Sequence, residues 1–324
     1  MATMTIAKAI TAGLRRALAE DPKTLLMGED IGALGGVYRV TEGLQEEFGK
    51  DRVVDSPLAE SGIIGTAIGL AMRGYRPICE IQFDGFVFPA FNQITTQLAK
   101  MHARTSGQIS APVVVRIPYG GGIGSIEHHS ESPEALFAHT AGLRIITPSN
   151  AHDAYWMTQQ AVTSNDPVIV FEPKRRYWLK GEVDTERAGL DAFRAAVLRE
   201  GTDATVVAYG PLVPVALAAA QAAEEDGTSV EVIDLRSISP IDFDTVTASV
   251  QKTGRLIVAH EAPTFGGIGG EIAARVSERA FLSLEAPVLR VGGFHMPYPV
   301  AKVEEHYLPD IDRILEALDR SLAY

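Results

Sequence analysis

DSPLAESGIIGTAIGLAMRGYRPICEIQFDGFVFPAFNQI, residues 55–94, runs from a helical pattern through a β-rich run into a turn crowded with aromatic residues. Between 60 and 72 small and apolar residues occupy every face, which predicts a helix buried all round. RPICEIQF then reads as a short buried strand. A helix feeding such a strand is part of a βα array, and the alternation continues in both directions. Strands are expected over 24–27, 77–81, 112–117, 143–147 and 168–171, with helices over 5–19, 60–72, 89–103 and 151–162. A second series follows, with strands over 205–209, 229–234, 255–260 and 287–292 and helices near 213–225, 268–281 and 311–322. The fold class is α/β: two domains, each a mostly parallel sheet flanked by helices.

The stretch 174–201 is charged and shows no sustained period, so it reads as a crossing between units. The expected organisation is a first domain over 1–180, a connection over 181–200 and a second domain over 201–324. A chain of 324 residues, 46% hydrophobic and 22% charged, suits two such cores. Its formal charge of −12, from 29 Lys and Arg against 41 Asp and Glu, opposes condensation on a phosphate backbone and argues against nucleic acid as a partner. The first residues lack the apolar block of a signal peptide and no apolar run reaches membrane-spanning length, so a cytoplasmic protein without membrane contact is expected. The single cysteine, Cys79, falls in an apolar run and is given no catalytic role.

Several segments could carry chemistry. Glu60 opens the apolar helix, where burial would favour its protonated form and the helix N-terminus its charged form; a working acid and a first-turn glutamate satisfied by backbone amides are equally good readings. Gly62, Gly65 and Gly69 make a flat strip for close packing, within the chain or against a partner. YGGGIGS at 119–125 has neither a dinucleotide fingerprint nor a P-loop and reads as a flexible or close-packed loop. In IEHHSESPEALFAH at 126–139, His128 and His129 lack the partners of a metal site, leaving a proton-handling role or a solvated polar loop. Lys174, Arg175 and Arg176 could attract an anion, with a solvated surface turn the favoured reading. HEAPTFGGIGGEIAARV at 260–276 reads as a tight strand-to-helix turn.

Taken together, GEDIG at 28–32, GGVYRVTEGL at 35–44, DSPLAESG at 55–62, EIQFDGFVFPAFNQI at 80–94, HHSESPEALFAH at 128–139, FEPKRRY at 171–177 and LPDIDRI at 308–314 resemble the β subunits of 2-oxoacid dehydrogenase first components. The EIQF, FPAF, HSxSPE and FEPK details are more similar to the branched-chain type than to the pyruvate type. The resemblance implies a transketolase-type pyrimidine-binding domain followed by a transketolase C-terminal domain. It also implies thiamine diphosphate bound jointly with an α subunit in an α2β2 heterotetramer, and a lipoyl acyltransferase core as acyl acceptor. The α chain would hold the diphosphate and Mg²⁺ through a GDG-type motif, which this chain lacks.

By the same resemblance Glu60 is the cofactor-activating glutamate, Phe86 lies against the aminopyrimidine, Gln82 belongs to that wall and Glu29 stands nearby. His129 is matched to the histidine of the acyl-transfer step, with His128 its neighbour. A potassium loop of relatives corresponds to Ala161, Ser164 and Asp166, where its usual side chains are replaced. His295 stands where the family commonly has Asp. The alternatives are the same machinery acting on pyruvate, a single-chain transketolase-like enzyme, and a non-catalytic scaffold for an α partner.

Overall fold

The computed structural model describes all 324 residues. Its larger sheet has seven strands in the order Ser237–Ser239, Arg144–Ile146, Val168–Pro173, Val114–Tyr119, Arg76–Glu80, Thr24–Gly28 and Val53–Asp55. Six run parallel; only Ser237–Ser239, arriving from beyond the expected domain boundary, pairs antiparallel at the edge. The second sheet has the order Leu289–Gly293, Leu256–Pro263, Ala204–Ala208, Val230–Asp234 and Ala196–Arg199, the last antiparallel. A two-stranded ribbon joins Ala2–Thr5 to Lys180–Val183.

Buried charge fixes the register of the larger sheet near the carboxyl ends of its strands. Arg116 sits between two carboxylates from the flanking strands, 2.6 Å from Glu80 and 2.7 Å from Glu172, and Tyr177 donates a 2.6 Å bond to Glu172. All four side chains are buried, so each charge is compensated by bonded neighbours instead of water.

The helix expected over 89–103 is broken into a 3₁₀ turn at Asp84–Ala90, a π-type turn at Gln93–Gln97, a second 3₁₀ turn at Leu98–Lys100 and one α-turn at Met101–Arg104. Pro89 lies inside the first piece and cannot donate to a regular helical ladder. The connection expected over 181–200 also differs: Lys180–Val183 overlaps it and Ala196–Arg199 lies within it, both at sheet edges where charged residues mask the strand pattern. Helix Phe243–Thr253 escapes the sequence reading because Thr and Val are poor helix formers; Asp242 caps it by accepting from Thr245 N. Helix Glu60–Met72 buries Ile63, Ile64, Ala67, Ile68 and Ala71 but leaves Ser61, Gly62, Thr66, Gly69 and Met72 exposed, so it is not buried all round within this chain.

The two units share one apolar core, in which Ile117, Tyr119 and Phe171 cluster with Val207, Tyr209 and Ile233, and polar side chains tie them as well. Arg236, fully buried, makes a bidentate pair with Asp153 at 2.8 and 3.0 Å and donates to Asp191 O and Arg194 O, each at 2.7 Å. Arg236→Met would strand the Asp153 carboxylate and three backbone carbonyls; the expected loss is about 3–5 kcal/mol, read as a lower urea midpoint. An unchanged midpoint would show that the junction does not depend on this pair.

Candidate active site

Parallel strands leave their following loops at one edge of the sheet, and the predicted site residues lie on those loops. Glu29 follows Thr24–Gly28, Glu60 follows Val53–Asp55, Gln82 and Phe86 follow Arg76–Glu80, and His129 follows Val114–Tyr119. Glu60 is the first residue of its helix and only 9% exposed, yet no hydrogen bond or salt bridge within the chain engages its carboxylate. Its electrostatic companion is another acid. Desolvation, then the carboxylates of Asp30 and Glu60, hold the Glu29 carboxyl above its usual range. The Gln82 amide reaches the same corner, with long contacts of 3.4 Å to Glu29 O and 3.5 Å to Asp30 Oδ2.

The Glu60 helix packs on the Asp84–Ala90 turn, which presents Phe86. Phe86 lies edge-on to His129, centroids 5.1 Å apart, and 6.0 Å from the His128 ring. Phe83 completes the group, 4.4 Å from His129 and 5.6 Å from Phe86. The His129 Nδ1 atom is buried with no partner, and desolvation, then His128 and Lys174, depress its basicity. A neutral imidazole with an open ring nitrogen can accept or donate a proton to a group placed beside it.

Sequence reasoning missed the support of this loop. Lys174, read as part of a solvated turn, is 1% exposed: its ammonium bonds the Asp84 carboxylate and, at 2.6 Å, His129 O. The signal was the apolar run Val168–Phe171 just before it, which carries the strand into the interior. The glycine loop is the close-packed alternative: Gly122 N and Gly124 N donate to the two Glu304 oxygens at 2.8 and 3.0 Å, and Gly121 N donates to Glu261. Its amides do receive anions, but the anions are the second unit's own carboxylates. The 260–276 segment is the expected tight turn, with Gly269 N donating to buried His260. Behind the histidine loop a cavity of about 190 Å³ opens between the units, lined by Ser130, Glu131, Pro133, Glu261, Tyr298 and Tyr307 among others.

Residues 2–178 match the family model described as transketolase, pyrimidine binding domain, and residues 194–314 match transketolase, C-terminal domain. The chain is 66% identical over 322 residues to "Pyruvate dehydrogenase E1 component subunit beta" of Leifsonia xyli subsp. xyli, covering 99% of this chain and 96% of the relative. It is 52% identical over 321 residues to "3-methyl-2-oxobutanoate dehydrogenase subunit beta" of Mycobacterium tuberculosis, covering 99% and 92%. The chain belongs to the E1 β-subunit family of the 2-oxoacid dehydrogenases. A further pyruvate dehydrogenase E1 β subunit, of Staphylococcus epidermidis, is 46% identical over the full length of both chains. Among solved structures, a split gene transketolase described as an inactive β4 tetramer shares the fold, with a TM-score of 0.82 at 23% identity over 99% of this chain and 98% of that one.

In this E1 β chain the potassium-loop residues stand apart from the site, where helix Ala151–Thr163 enters strand Val168–Pro173 from its amino end. Protein donors already meet their oxygens: Ala161 O accepts from Ser164 N at 3.2 Å, Ser164 O from the Arg76 guanidinium at 2.9 Å, and Asp166 O from the Ser164 hydroxyl at 3.0 Å. Each of these carbonyl oxygens is thus hydrogen-bonded within the chain and keeps one further lone pair. His295 is exposed and stacks on Phe265, centroids 4.4 Å apart.

Beneath the histidine loop of the E1 β chain, fully buried Glu134 accepts 2.7 Å from Tyr209 of the second unit, and burial pushes its carboxyl up to about 8. An unfolded chain releases that proton near 4.5, so the contribution to stability is complete below about pH 4.5 and fades as the pH rises to about 8. Glu134→Gln imitates the protonated acid. The stability of the variant relative to the parent should rise between pH 5 and 8 in urea unfolding, and a pH-independent difference would show that Glu134 is ionised when folded.

Proposed function

We propose that this chain is the β half of a thiamine-diphosphate-dependent enzyme that oxidatively decarboxylates branched-chain 2-oxoacids of the 3-methyl-2-oxobutanoate type. It works in the cytoplasm with an α subunit, as α2β2, and delivers the acyl group to a lipoyl arm of an acyltransferase core. The observation that carries the proposal is the largely buried Glu60 carboxylate, without a partner in the chain, on a helix that packs against the turn carrying Phe86, which itself meets His129. Thiamine diphosphate, when bound, supplies an electron sink for breaking the carboxylate bond of a 2-oxoacid. The residues fit the aminopyrimidine half of that cofactor: an acid without a partner, an aromatic face, and a wall containing Gln82 and Glu29.

Each side chain then has a role of its own. Glu60 exchanges a proton with a ring nitrogen brought into its pocket, where low polarity strengthens that hydrogen bond. Phe86 and Phe83 hold planar groups and exclude water. Glu29, its carboxyl raised by desolvation and by the carboxylates of Asp30 and Glu60, lies in the same acidic corner. His129 moves a proton during acyl transfer. By the resemblance, Mg²⁺ and the diphosphate fall to the α chain, whose GDG-type motif this chain lacks.

The EIQF, FPAF, HSxSPE and FEPK segments and the 52% identical relative support the branched-chain substrate. Pyruvate is the second reading, favoured by the 66% identical relative. Reduction of an artificial electron acceptor by the α/β pair, with thiamine diphosphate and Mg²⁺, decides between them: kcat/KM should be higher for 3-methyl-2-oxobutanoate, and a preference for pyruvate replaces the substrate while keeping the machinery. In the same assay Glu60→Gln should lower turnover by about 10²–10⁴ without loss of assembly. Near-parent turnover would remove the proton-handling role, and activity of the β chain alone would remove the shared site.

A further inference from the structure

Histidines that handle protons are commonly oriented by a hydrogen bond from the second ring nitrogen to a carboxylate or carbonyl. His129 has no such bond: Nδ1 is buried and unpartnered. The orientation of the ring must come from its packing and its backbone.

The backbone is held on both sides of the residue's carbonyl. Lys174 Nζ donates to His129 O at 2.6 Å and also bonds Asp84, whose other carboxylate oxygen accepts from Glu131 N at 2.8 Å. Gly120 N donates to Glu131 O at 2.9 Å, tying the same loop to the end of strand Val114–Tyr119. Gly85, next to Asp84, lies so close that a Cβ there would stand 2.4 Å from His128 O and 2.6 Å from His128 Cα. The turn that carries Phe86 and the loop that carries His129 are thus locked backbone to backbone, with Phe83 4.4 Å from the imidazole and Lys174 Nζ 5.4 Å above the Phe83 ring. Lys174 and Asp84 are both buried, so the pair has no solvent to replace a lost partner.

We infer that the Lys174–Asp84 ion pair is a positioning clamp for the acyl-transfer step, fixing the His129 imidazole relative to the Phe86 wall through main-chain contacts. Lys174 and Asp84 are positioning residues: they act through the loop. The inference rests on the assignment of His129 to acyl transfer. The direct bonds of the pair go to the loop of His129, at His129 O and Glu131 N, and none to Glu60, so the clamp bears on the second half-reaction more than on the first.

The test uses the α/β complex and two assays on each variant: 2-oxoacid-dependent reduction of an artificial acceptor, and acylation of an isolated lipoylated domain. Lys174→Met and the near-isosteric Asp84→Asn should each lower kcat for lipoyl acylation by about tenfold or more, with KM for the lipoylated domain little changed and acceptor reduction within about twofold of the parent. The double variant should lose no more than the worse single one, because both act through one contact. Equal losses in the two assays, or an unchanged acylation rate in an assembled complex, would overturn the clamp. If Lys174→Met does not assemble, Asp84→Asn decides by the same ratio. His129→Ala separates the premises: if it spares acylation the role of His129 fails, whereas if it abolishes acylation while the clamp variants keep it, only the clamp fails.

Discussion

Arg116 is the constraint on which the site end of the sheet depends. Its guanidinium bonds Glu80 on one neighbouring strand and Glu172 on the other, so three strands are held in one register by charges that cannot be exchanged for water. Gln82 and Asp84 follow two and four residues after Glu80, and Lys174 follows two after Glu172. A slip of one residue would turn each of these side chains to the other face and bury an unpaired charge. Main-chain register and site geometry are therefore the same property here.

A second theme is self-supplied counter-charge. The amides of the glycine loop receive Glu304 and Glu261, the Arg236 guanidinium receives Asp153, and the Lys174 ammonium receives Asp84. These bonds join loops and units that also share one apolar cluster, and they are directional, so they set orientation as well as proximity. Glu60, 9% exposed and without a hydrogen-bond partner in the chain, and the buried His129 Nδ1 are left outside this pairing. Unpaired buried polar atoms cost free energy, so His129 Nδ1, beside Phe83 and Phe86, is an exception to the pairing seen elsewhere.

How far the sequence could be read varied with the physics of each segment. Helix Val213–Glu225 and helix Ile311–Leu322 stand where their patterns put them, and every parallel strand but the unexpected, three-residue Val53–Asp55 starts or ends within about two residues of expectation, because unbroken apolar runs mark buried strands. The ribbon strand Ala2–Thr5 and the edge strand Ser237–Ser239 were not legible: each is short, and its partner lies far away in sequence. The irregular course of 84–104 was hidden because composition favours a helix there while Pro89 and the close approach of Gly85 to His128 do not.

The sequence by itself determined the α/β class, the two series of strands and helices, the family, and Glu60, Phe86 and His129 as the residues to examine. Those conclusions depend on local periodicity and on ordered motifs, which a linear string preserves. Only the tertiary structure decided that Lys174 is buried against Asp84 and not solvated, that the glycine loop holds the chain's own carboxylates, and that the carbonyls of 161–166 already have donors. The reason is that charge and hydrogen-bond pairing here join residues as far as 182 positions apart, which local sequence pattern does not encode.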